Sequence, residues 1–203
     1  MAESKSAKWG AIVLAAGLGT RFGGGKLLAP FRGRPLIAGA LNAALESPAF
    51  SVVVAIGSDD AQLETTALSL DEYADLRVVK VTDPARGMGS SLAAAAQAAP
   101  TDLDGVFVFL GDMPLVPRSI PVALAAALTG PDGIVAPVHA GRRGHPVLFG
   151  GGWIPALRSL HGDSGAQALI RQAGDRFIAI ETDDPGVLFD IDLPEDLKRA
   201  PRT

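Results

Sequence analysis

An apolar run that breaks into a glycine-rich loop, between Ile12 and Lys26, constrains the fold of this chain more than any other feature. Residues 11–14 form a short apolar run, which is typical of a buried β-strand. The glycines at positions 17, 19, 23, 24 and 25 permit backbone conformations that side chains forbid, so the backbone amides can face an anion. Arg21 and Lys26 add positive charge. The segment therefore predicts a strand followed by a phosphate-binding loop.

Two familiar glycine loops do not fit this segment. A dinucleotide-binding loop needs a third glycine where Phe22 stands, because the helix and the strand must approach closely there. A Walker loop needs a glycine where Thr20 stands and a hydroxyl residue where Leu27 follows Lys26. The loop belongs to a third type.

Short apolar runs alternate along the chain with longer segments of helical spacing, which predicts a mostly parallel sheet covered on both faces. The expected fold is α/β, a doubly wound three-layer α/β/α arrangement. Strands are expected at 11–14, 52–56, 76–81, 106–110, 134–137, 147–149 and 177–180. Helices are expected at 35–45, 61–70, 90–98, 120–128, 166–173 and 194–199, with Pro35 and Pro194 opening the first and the last.

Composition narrows the classes of partner. A chain of 203 residues predicts a single domain, 1–203, with a short flexible N-terminus at about 1–8. The net charge of −4 argues against nucleic acid, and no apolar run approaches the roughly 18 residues of a membrane span. The absence of cysteine excludes disulfides and thiolate metal sites and fits a cytoplasmic protein.

Acidic residues follow several of the predicted strands. In open α/β sheets, ligands bind beyond the carboxyl ends of the strands, and Asp83 and Asp112 both follow strands there. Asp112 is the first candidate ligand for Mg²⁺, which prefers oxygen ligands. Asp190 and Asp192 form a second acidic pair, and strand alternation places them on one face. They are either metal ligands or caps of a helix that begins at Pro194.

The loop Leu-Ala-Ala-Gly-x-Gly-x-Arg-Phe-Gly-x-x-Lys resembles the signature loop of the MobA-like nucleotidyltransferases, and among them that of the molybdenum cofactor cytidylyltransferases. Later segments of that family recur here in the same order, at 87–92, 111–114, 143–149, 162–166 and 190–197. The Arg-Gly-His-Pro-Val-Leu-Phe segment at 143–149 most favours the cytidylyl branch. The resemblance implies a Rossmann-like fold of the nucleotide-diphospho-sugar transferase type.

The activity that the resemblance implies is a Mg²⁺-dependent transfer of CMP from CTP to the phosphate of molybdenum cofactor, with release of pyrophosphate. The implied catalytic residues are Arg21, Lys26 and Asp112, and the implied metal ligands are Asp112 and Asp192, with Asp190 as a competing choice. The implied nucleotide-binding residues are Leu14, Ala15, Ala16, Gly17, Gly19, Lys26, Asp83, Ser90 and Ser91. The implied acceptor-binding residues are Arg143, His145 and Asp163.

Several positions depart from the family pattern or decide its finer branches. Relatives that use GTP have Leu-Ala-Gly-Gly at this point, whereas cytidylyl relatives have Ala-Ala, as this chain does at Ala15 and Ala16, and the methyl contacts that favour CTP are worth about 1 to 3 kcal/mol. Leu193 replaces a common threonine, Gln167 replaces an arginine, and Asp83 replaces the asparagine of many cytidylyl relatives. Ser90 and Ser91 open an alanine-rich helix, where they either cap the helix or bind phosphate.

Three alternatives stay open. The enzyme could use GTP with the same cofactor, or it could join a nucleotide to a phosphorylated sugar or alcohol. A third alternative is a non-catalytic carrier that hands the molybdenum cofactor to a molybdoenzyme. Transient contact with a molybdoenzyme or its chaperone is expected in the main hypothesis as well. Partners of the nucleic-acid or membrane class are not expected.

Overall fold

A central β-sheet organises the computed structural model, which describes residues 7–70, 75–83, 87–162 and 165–199. The strands in these ranges are β1 (Trp9–Ala15), β2 (Pro30–Phe31), β3 (Arg34–Pro35), β4 (Ala49–Gly57), β5 (Asp75–Val81), β6 (Gly105–Leu110), β7 (Ile134–His139), β8 (Arg142–Arg143), β9 (Val147–Gly150) and β10 (Phe177–Glu181). The main sheet has the order β10-β7-β9-β6-β1-β4-β5, with β8 paired to β7, and β2 and β3 form a separate hairpin.

The strand order reverses next to β1. Its neighbours β4 and β6 are both parallel to it, and they lie on opposite sides. A crevice therefore opens beyond the carboxyl ends of β1 and β6, where ligands bind in folds of this kind. β9 is antiparallel to both β6 and β7, whereas β7 and β10 are parallel to each other.

Helices cover both faces of the sheet. They are α1 (Ile37–Leu45), α2 (Ala61–Ser69), α3 (Met88–Ala98), α4 (Ser119–Ala127), α5 (Ile154–Arg158), α6 (Gln167–Ala173) and α7 (Asp196–Arg199). Buried residues of α1, α2 and α4 share one apolar cluster with Val13 of β1, whereas those of α3, α5 and α6 share a second cluster with Ile12. Successive strand residues point to opposite faces, so one strand supplies both clusters. The predicted three-layer α/β/α fold is confirmed.

All seven predicted strands are present, and each extends beyond at least one of its predicted ends. The prediction missed β2, β3 and β8, whose two residues each are too short to show an alternating pattern. It also missed α5, a helix of only five residues. Among the described residues, no helix has the length and the apolar character that crossing a membrane requires.

The two prolines do not open helices as predicted. Pro35 lies in β3 opposite Pro30, because Arg32 and Gly33 adopt positive φ and turn the chain back, so α1 begins only at Ile37. Pro194 lies in a turn, and α7 begins at Asp196. Proline's fixed φ suits a turn as well as the first turn of a helix, so its position alone could not distinguish the two.

Candidate active site

The glycine loop leaves the centre of the sheet directly after β1, whose last residue, Ala15, is buried. Gly19, Gly23, Gly24 and Gly25 have φ values of 56°, 92°, 94° and 63°, in the left-handed region that favours glycine. These turns fold the loop tightly, and a Cβ atom on Gly19 would lie 3.3 Å from Cβ of Lys26. The loop therefore brings Lys26 back to the carboxyl-terminal end of β1.

Two loop cations and two distant carboxylates meet at this edge. Nζ of Lys26 lies 2.7 Å from Oδ2 of Asp112 and 3.4 Å from Oδ1 of Asp192. Nη1 of Arg21 lies 3.3 Å from Oδ2 of Asp192. The Lys26 side chain is only 12% exposed, whereas that of Arg21 is 78% exposed. Lys26 is thus held between the carboxylates, and Arg21 reaches them from solvent.

Backbone contacts fix the position of Asp112. The amide of Gly111 donates to the carbonyl of Leu14 over 2.9 Å, and a Cβ atom at Gly111 would lie 3.0 Å from that carbonyl oxygen. The amide of Ile191 donates to the carbonyl of Asp112 over 3.1 Å, and the Ile191 side chain is fully buried. The end of β6 therefore lies against both the end of β1 and the segment that carries Asp192.

Asp196 holds the segment that carries Asp192. Its carboxylate accepts hydrogen bonds from the amides of Asp192 and Leu193 over 3.1 and 2.8 Å. These bonds, that of Leu193 first, lower the pKa of the Asp196 carboxyl. Asp196, a residue that the sequence analysis missed, thus stabilises the turn between Asp192 and α7. The sequence signal was a carboxylate, that of Asp196, three residues after Leu193, from whose amide it accepts a hydrogen bond.

Asp190 lies close to the same cluster without forming its central ion pairs. Desolvation raises the pKa of its carboxyl group, and the negative charges of Asp112 and Asp192 raise it further. Residues 190–192 do not form a strand, so the predicted alternation that placed Asp190 and Asp192 on one strand face is wrong. The amide of Ile191 donates to the carbonyl of Asp112 instead, so it does not take part in strand pairing.

The carboxylates suit a magnesium ion that is shared with a substrate. Oxygens of Asp112 and Asp192 converge on one cationic nitrogen, which shows that both can face a common positive charge. Among the described residues, no group of three or more histidine, cysteine, aspartate or glutamate side chains could hold a metal ion. Mg²⁺ is commonly bound by one or two carboxylates together with water and substrate phosphates, so the pair fits that mode.

Two cavities adjoin the glycine loop. One, of about 390 Å³, extends past the end of β4, and the other, of about 330 Å³, contains Asp112. Both are lined by five of the predicted nucleotide-binding residues, namely Ala15, Ala16, Gly17, Gly19 and Lys26. Leu14 and Ser91 line the second cavity, whereas Asp83 and Ser90 line neither.

The sequence analysis also missed the residues that follow β4. Ser58, Asp59 and Asp60 line the larger cavity together with Thr82, which follows β5. The signal was available, because these residues stand directly after an apolar strand, where functional groups collect in such sheets.

Glycines, rather than serines, shape the start of α3. Gly87 is the N-cap residue, with φ of 97° and no side-chain cap, so neither Ser90 nor Ser91 stands at the N-cap position. The amide of Gly89 donates to the carbonyl of Gly162 over 2.9 Å, and a Cβ atom on Gly89 would lie 2.7 Å from that oxygen. Ser91 is buried in the first turn, at the wall of the cavity.

A third cavity, of about 200 Å³, contains Arg143 and His145. Gly144, between them, donates from its amide to the carbonyl of Pro137 over 2.8 Å, and a Cβ atom there would lie 2.3 Å from the carbonyl oxygen of Val187. Burial, followed by a smaller effect of the Arg143 charge, lowers the pKa of His145 to about 4. Asp163, the third predicted acceptor residue, lies outside the described residues.

The site thus combines two cations, two converging carboxylates and three adjoining cavities at the switch point of the sheet. Comparison with known proteins agrees with this arrangement. The MobA-like NTP transferase domain matches residues 11–177. This range contains the glycine loop, Asp112, Arg143 and His145.

Relatives with different activities resemble nearly the whole chain. Nicotine blue oxidoreductase from Paenarthrobacter nicotinovorans is 34% identical, covering 93% of this chain and 94% of the relative. Purine catabolism protein PucB from Bacillus subtilis (strain 168) is 29% identical over 91% and 92% of the two chains. Molybdenum cofactor cytidylyltransferase from Escherichia coli (strain K12) is 26% identical over 93% of each.

Solved structures share the fold. The Rv0371c homolog from Mycobacterium sp. strain JC1 has a TM-score of 0.79 at 31% identity, covering 94% of this chain and 93% of the other. A nucleotidyl transferase from Methanothermobacter thermautotroptrophicus has a TM-score of 0.77 at 26% identity over 95% of each. A 4-diphosphocytidyl-2C-methyl-D-erythritol synthase from Anaerococcus prevotii shares the fold alone, with a TM-score of 0.74 at 15% identity, over 95% and 94%.

Divalent metal occurs in one structure of this fold. Rv0371c from Mycobacterium tuberculosis was solved in complex with manganese, and it has a TM-score of 0.72 at 24% identity over 95% and 97% of the chains. The family model covers most of this chain, and the sheet order, glycine loop and clustered charges are consistent with it. The chain therefore belongs to the MobA-like NTP transferase family of nucleotidyltransferases.

Proposed function

We propose that this protein is a cytidylyltransferase that transfers CMP from CTP to the phosphate of molybdenum cofactor and releases pyrophosphate. The observation that carries the proposal is the contact of Lys26 with both Asp112 and Asp192, beside Arg21, at the end of the glycine loop. We take residues 1–203 as one catalytic domain, acting in the cytoplasm, in keeping with the absence of cysteine.

In the proposed reaction, an oxygen of the acceptor's phosphate attacks the α-phosphorus of CTP. A new phosphorus–oxygen bond forms as the bond from the α-phosphorus to the pyrophosphate oxygen breaks, and the electron pair leaves with pyrophosphate. A phosphate monoester is largely ionised at neutral pH, so no protein group has to remove a proton. What the step needs is alignment of two anions that repel each other and stabilisation of the leaving charge.

The loop cations supply part of that stabilisation. Arg21 and Lys26 belong to the glycine loop that we propose binds the triphosphate, and we assign them to the charge that develops on the leaving pyrophosphate. Asp112 and Asp192 would hold Mg²⁺, with Asp190 as the weaker choice, since Lys26 and Arg21 contact Asp192. When bound, the ion would neutralise charge on the phosphoryl oxygens.

The two cavities beside the loop are the proposed binding site of CTP. Backbone amides of the glycine loop suit phosphate groups, and buried Ser91 adds a hydroxyl. The methyl groups of Ala15 and Ala16 narrow the cavities and favour the smaller base. The likeness to the E. coli cytidylyltransferase supports this choice. Asp83 and Ser90 line neither cavity, but each keeps its proposed role as the neighbour in sequence of a lining residue, Thr82 or Ser91.

The cavity with Arg143 and His145 is the proposed acceptor site, and Asp163 belongs to the same proposal. It adjoins the cavity that contains Asp112, with which it shares Leu14, Met88 and Leu110. An acceptor held there can therefore reach the carboxylate cluster with its phosphate. The same arrangement also fits GTP as the donor, or a phosphorylated sugar or alcohol as the acceptor. It fits as well a carrier that binds the molybdenum cofactor without turnover.

A redox function is a second candidate, because a relative with 34% identity is named nicotine blue oxidoreductase. The glycine loop argues against a dinucleotide cofactor, since Phe22 occupies the place of the third glycine. Oxidation of NADH or NADPH by the protein in the presence of a dye substrate would support this candidate. No such oxidation by a protein that does catalyse nucleotidyl transfer would exclude it.

The decisive experiment measures pyrophosphate release with Mg²⁺ and each of the four nucleoside triphosphates, with and without molybdenum cofactor. Release that depends on both CTP and the cofactor is expected. Release with GTP alone would overturn the choice of base and keep the chemistry. No release with any triphosphate would overturn the proposed acceptor, and phosphorylated sugars and alcohols would then be tested. Retained binding of the cofactor without turnover would identify a carrier.

A further inference from the structure

The main sheet ends in two edge strands, β5 and β10, which differ in how well they are protected. β5 carries Asp75, Arg77 and Lys80, and its two cations form ion pairs with Asp75 and Glu64. Charged side chains of this kind keep a sheet edge from pairing with other chains. β10 has one charged residue, Glu181, and no strand among the described residues pairs with its outer side. β10 is therefore the edge at which the sheet can be extended.

One hydrogen bond shows which backbone groups of β10 point outwards. The amide of Thr182 donates to the carbonyl of Val138 in β7 over 2.9 Å. Because backbone groups alternate in direction along a strand, those of the even-numbered residues of β10 also point to β7. The N–H and C=O groups of Phe177, Ala179 and Glu181 then point away from the sheet. This outward-facing set is symmetric about Ala179, whose side chain is exposed.

We propose that β10 pairs with β10 of a second copy of this chain, antiparallel and about a two-fold axis at Ala179. In this register Ala179 lies opposite Ala179 of the second copy, and Phe177 lies opposite Glu181 on each side of the axis. Each opposite pair exchanges both of its N–H···O=C bonds, so about six hydrogen bonds use every outward-facing group of β10. The same edge is used in both copies, so the assembly closes as a dimer.

The side chains on one face of β10 favour this partner. Ile178 and Ile180 are half-buried, and they pack against the apolar cluster that contains residues of α4. In the proposed register, Ile178 lies opposite Ile180 of the second copy. Pairs of β-branched side chains at directly opposite positions stabilise antiparallel strands. The second copy therefore adds side-chain contacts to the backbone hydrogen bonds.

The neighbouring helix α4 is apolar on its exposed side as well. Ser119 is its only polar residue, and Val122 and Ala126 are exposed. A helix that is apolar all round is normally buried. α4 contacts β10, and a two-fold axis perpendicular to the sheet keeps both copies of α4 on the same face of the joined sheet. The second copy would therefore cover apolar surface of α4 while it pairs with β10.

The dimer leaves the candidate active site open. No residue of β10 lines the three cavities beside the carboxylate cluster. Antiparallel pairing directs the carboxyl ends of the two sheets, and with them the two sites, in opposite directions. The inference is thus independent of the proposed function, and failure of nucleotidyl transfer would not affect it.

Sedimentation equilibrium of the unaltered protein tests whether the dimer forms. We expect a mass of twice 20.8 kDa at about 100 μM protein, with dissociation on dilution. A protein that stays monomeric at this concentration would overturn the second copy as the occupant of the edge. A larger, open-ended oligomer would also overturn the proposal, because a two-fold pairing closes at two copies.

Ala179→Pro tests whether β10 is the contact. Proline removes an outward-facing N–H and leaves the hydrogen bonds between β10 and β7 intact, because proline suits an edge strand at such a position. We expect dimerisation to weaken about tenfold or more. Val78→Pro is the matched control on the other edge, since the carbonyl of Val81 accepts from Ser58 in the loop after β4, so alternation directs the Val78 amide outwards. Unchanged dimerisation in Ala179→Pro would overturn the proposal.

Two charged variants test the position of the axis and cover the case in which Ala179→Pro does not fold. Residue 179 is exposed, so Ala179→Lys and Ala179→Glu should both fold. At the axis, like charges lie directly opposite each other and destabilise the pair. Each variant alone should therefore be monomeric at concentrations at which the unaltered protein is dimeric, and an equimolar mixture of the two should dimerise. Dimerisation of either variant alone, or a mixture that stays monomeric, would overturn the proposal.

Discussion

The ammonium group of Lys26 lies 2.7 Å from the carboxylate of Asp112, although the two residues stand 86 positions apart in the sequence. The same nitrogen lies 3.4 Å from Asp192, so it occupies the place where a cation between the two carboxylates would lie. A metal ion bound by both carboxylates, as proposed, would therefore compete with Lys26 for the same oxygens. Triphosphate would attract Lys26 away from them and leave them free for the metal.

Replacement of Lys26 by methionine should remove this competition. Lys26→Met keeps the length of the side chain and removes its charge, so Mn²⁺ should bind the nucleotide-free variant about tenfold more tightly than it binds the unaltered protein. In the unaltered protein, CTP should raise the affinity for Mn²⁺ by drawing Lys26 away from the carboxylates, and couplings between two ligands are typically about 5- to 150-fold. In the variant this increase should be smaller, because residue 26 no longer has a charge that can move from the carboxylates to the triphosphate. Electron paramagnetic resonance of free Mn²⁺ measures both effects. Lys8→Met is the control, because Lys8 pairs with Asp102 elsewhere. Unchanged affinity in Lys26→Met would contradict the competition.

Loss of charge at Asp112 or Lys26 should lower turnover sharply. We expect Asp112→Asn and Lys26→Ala each to reduce kcat by about a hundredfold or more, which is typical for loss of one charge-stabilising group. Pyrophosphate release with CTP and molybdenum cofactor is the assay. Asp75→Asn is the matched control, since Asp75 forms an exposed ion pair with Arg77 away from the site. A near-normal rate in either variant would remove that residue from the mechanism.

Asp196 should act by positioning Asp192. Asp196→Ala removes the acceptor for the amides of residues 192 and 193, so we expect weaker Mn²⁺ binding and a roughly tenfold lower kcat, with KM for CTP nearly unchanged. Asp196→Asn retains one carbonyl oxygen and should restore much of the loss. The Glu195→Gln variant controls for charge in the same turn. A merely structural role would lower the melting temperature without changing Mn²⁺ affinity.

The sheet and its binding edge could be predicted from the sequence, but few of these side-chain contacts could. The apolar runs of β1 and β6 and the glycines after them indicated both the sheet and its binding edge, because strand periodicity and loop conformation are local properties. Asp196 was missed because its hydrogen bonds depend on a turn at Pro194 that the prediction treated as helix. Ser58 to Asp60 were missed for a different reason, since they follow a strand without a recognisable motif.

Partly buried His145 should make stability depend on pH. The unfolded chain takes up a proton near pH 6.5, whereas the folded protein resists it until about pH 4. The free energy of unfolding should therefore fall as pH decreases from 6.5 towards 4, by up to about 3 kcal/mol from this group. Urea titrations of the unaltered protein and His145→Phe should diverge over this range. His161→Gln controls for an exposed histidine, and parallel curves for His145→Phe would contradict the assignment.

Nucleotide preference should respond to the two alanines after β1. Replacing Ala15 and Ala16 together by glycine removes two methyl groups from the cavity walls, so the ratio of kcat/KM for GTP to that for CTP should rise about tenfold or more. The comparison of the two triphosphates within one variant cancels any general loss of activity. An unchanged ratio would show that the base is selected elsewhere.

The reversed direction of β9 has an evolutionary consequence. Because β9 runs against its neighbours β6 and β7, the hairpin before it, which carries Arg143 and His145, lies at the same edge of the sheet as Asp112. The nucleotide loop comes from the other half of the chain. With the acceptor bound as proposed, substitutions in this one hairpin would change the second substrate while the nucleotide-binding loop is inherited intact, and a lineage would acquire new acceptors by drift at a few positions.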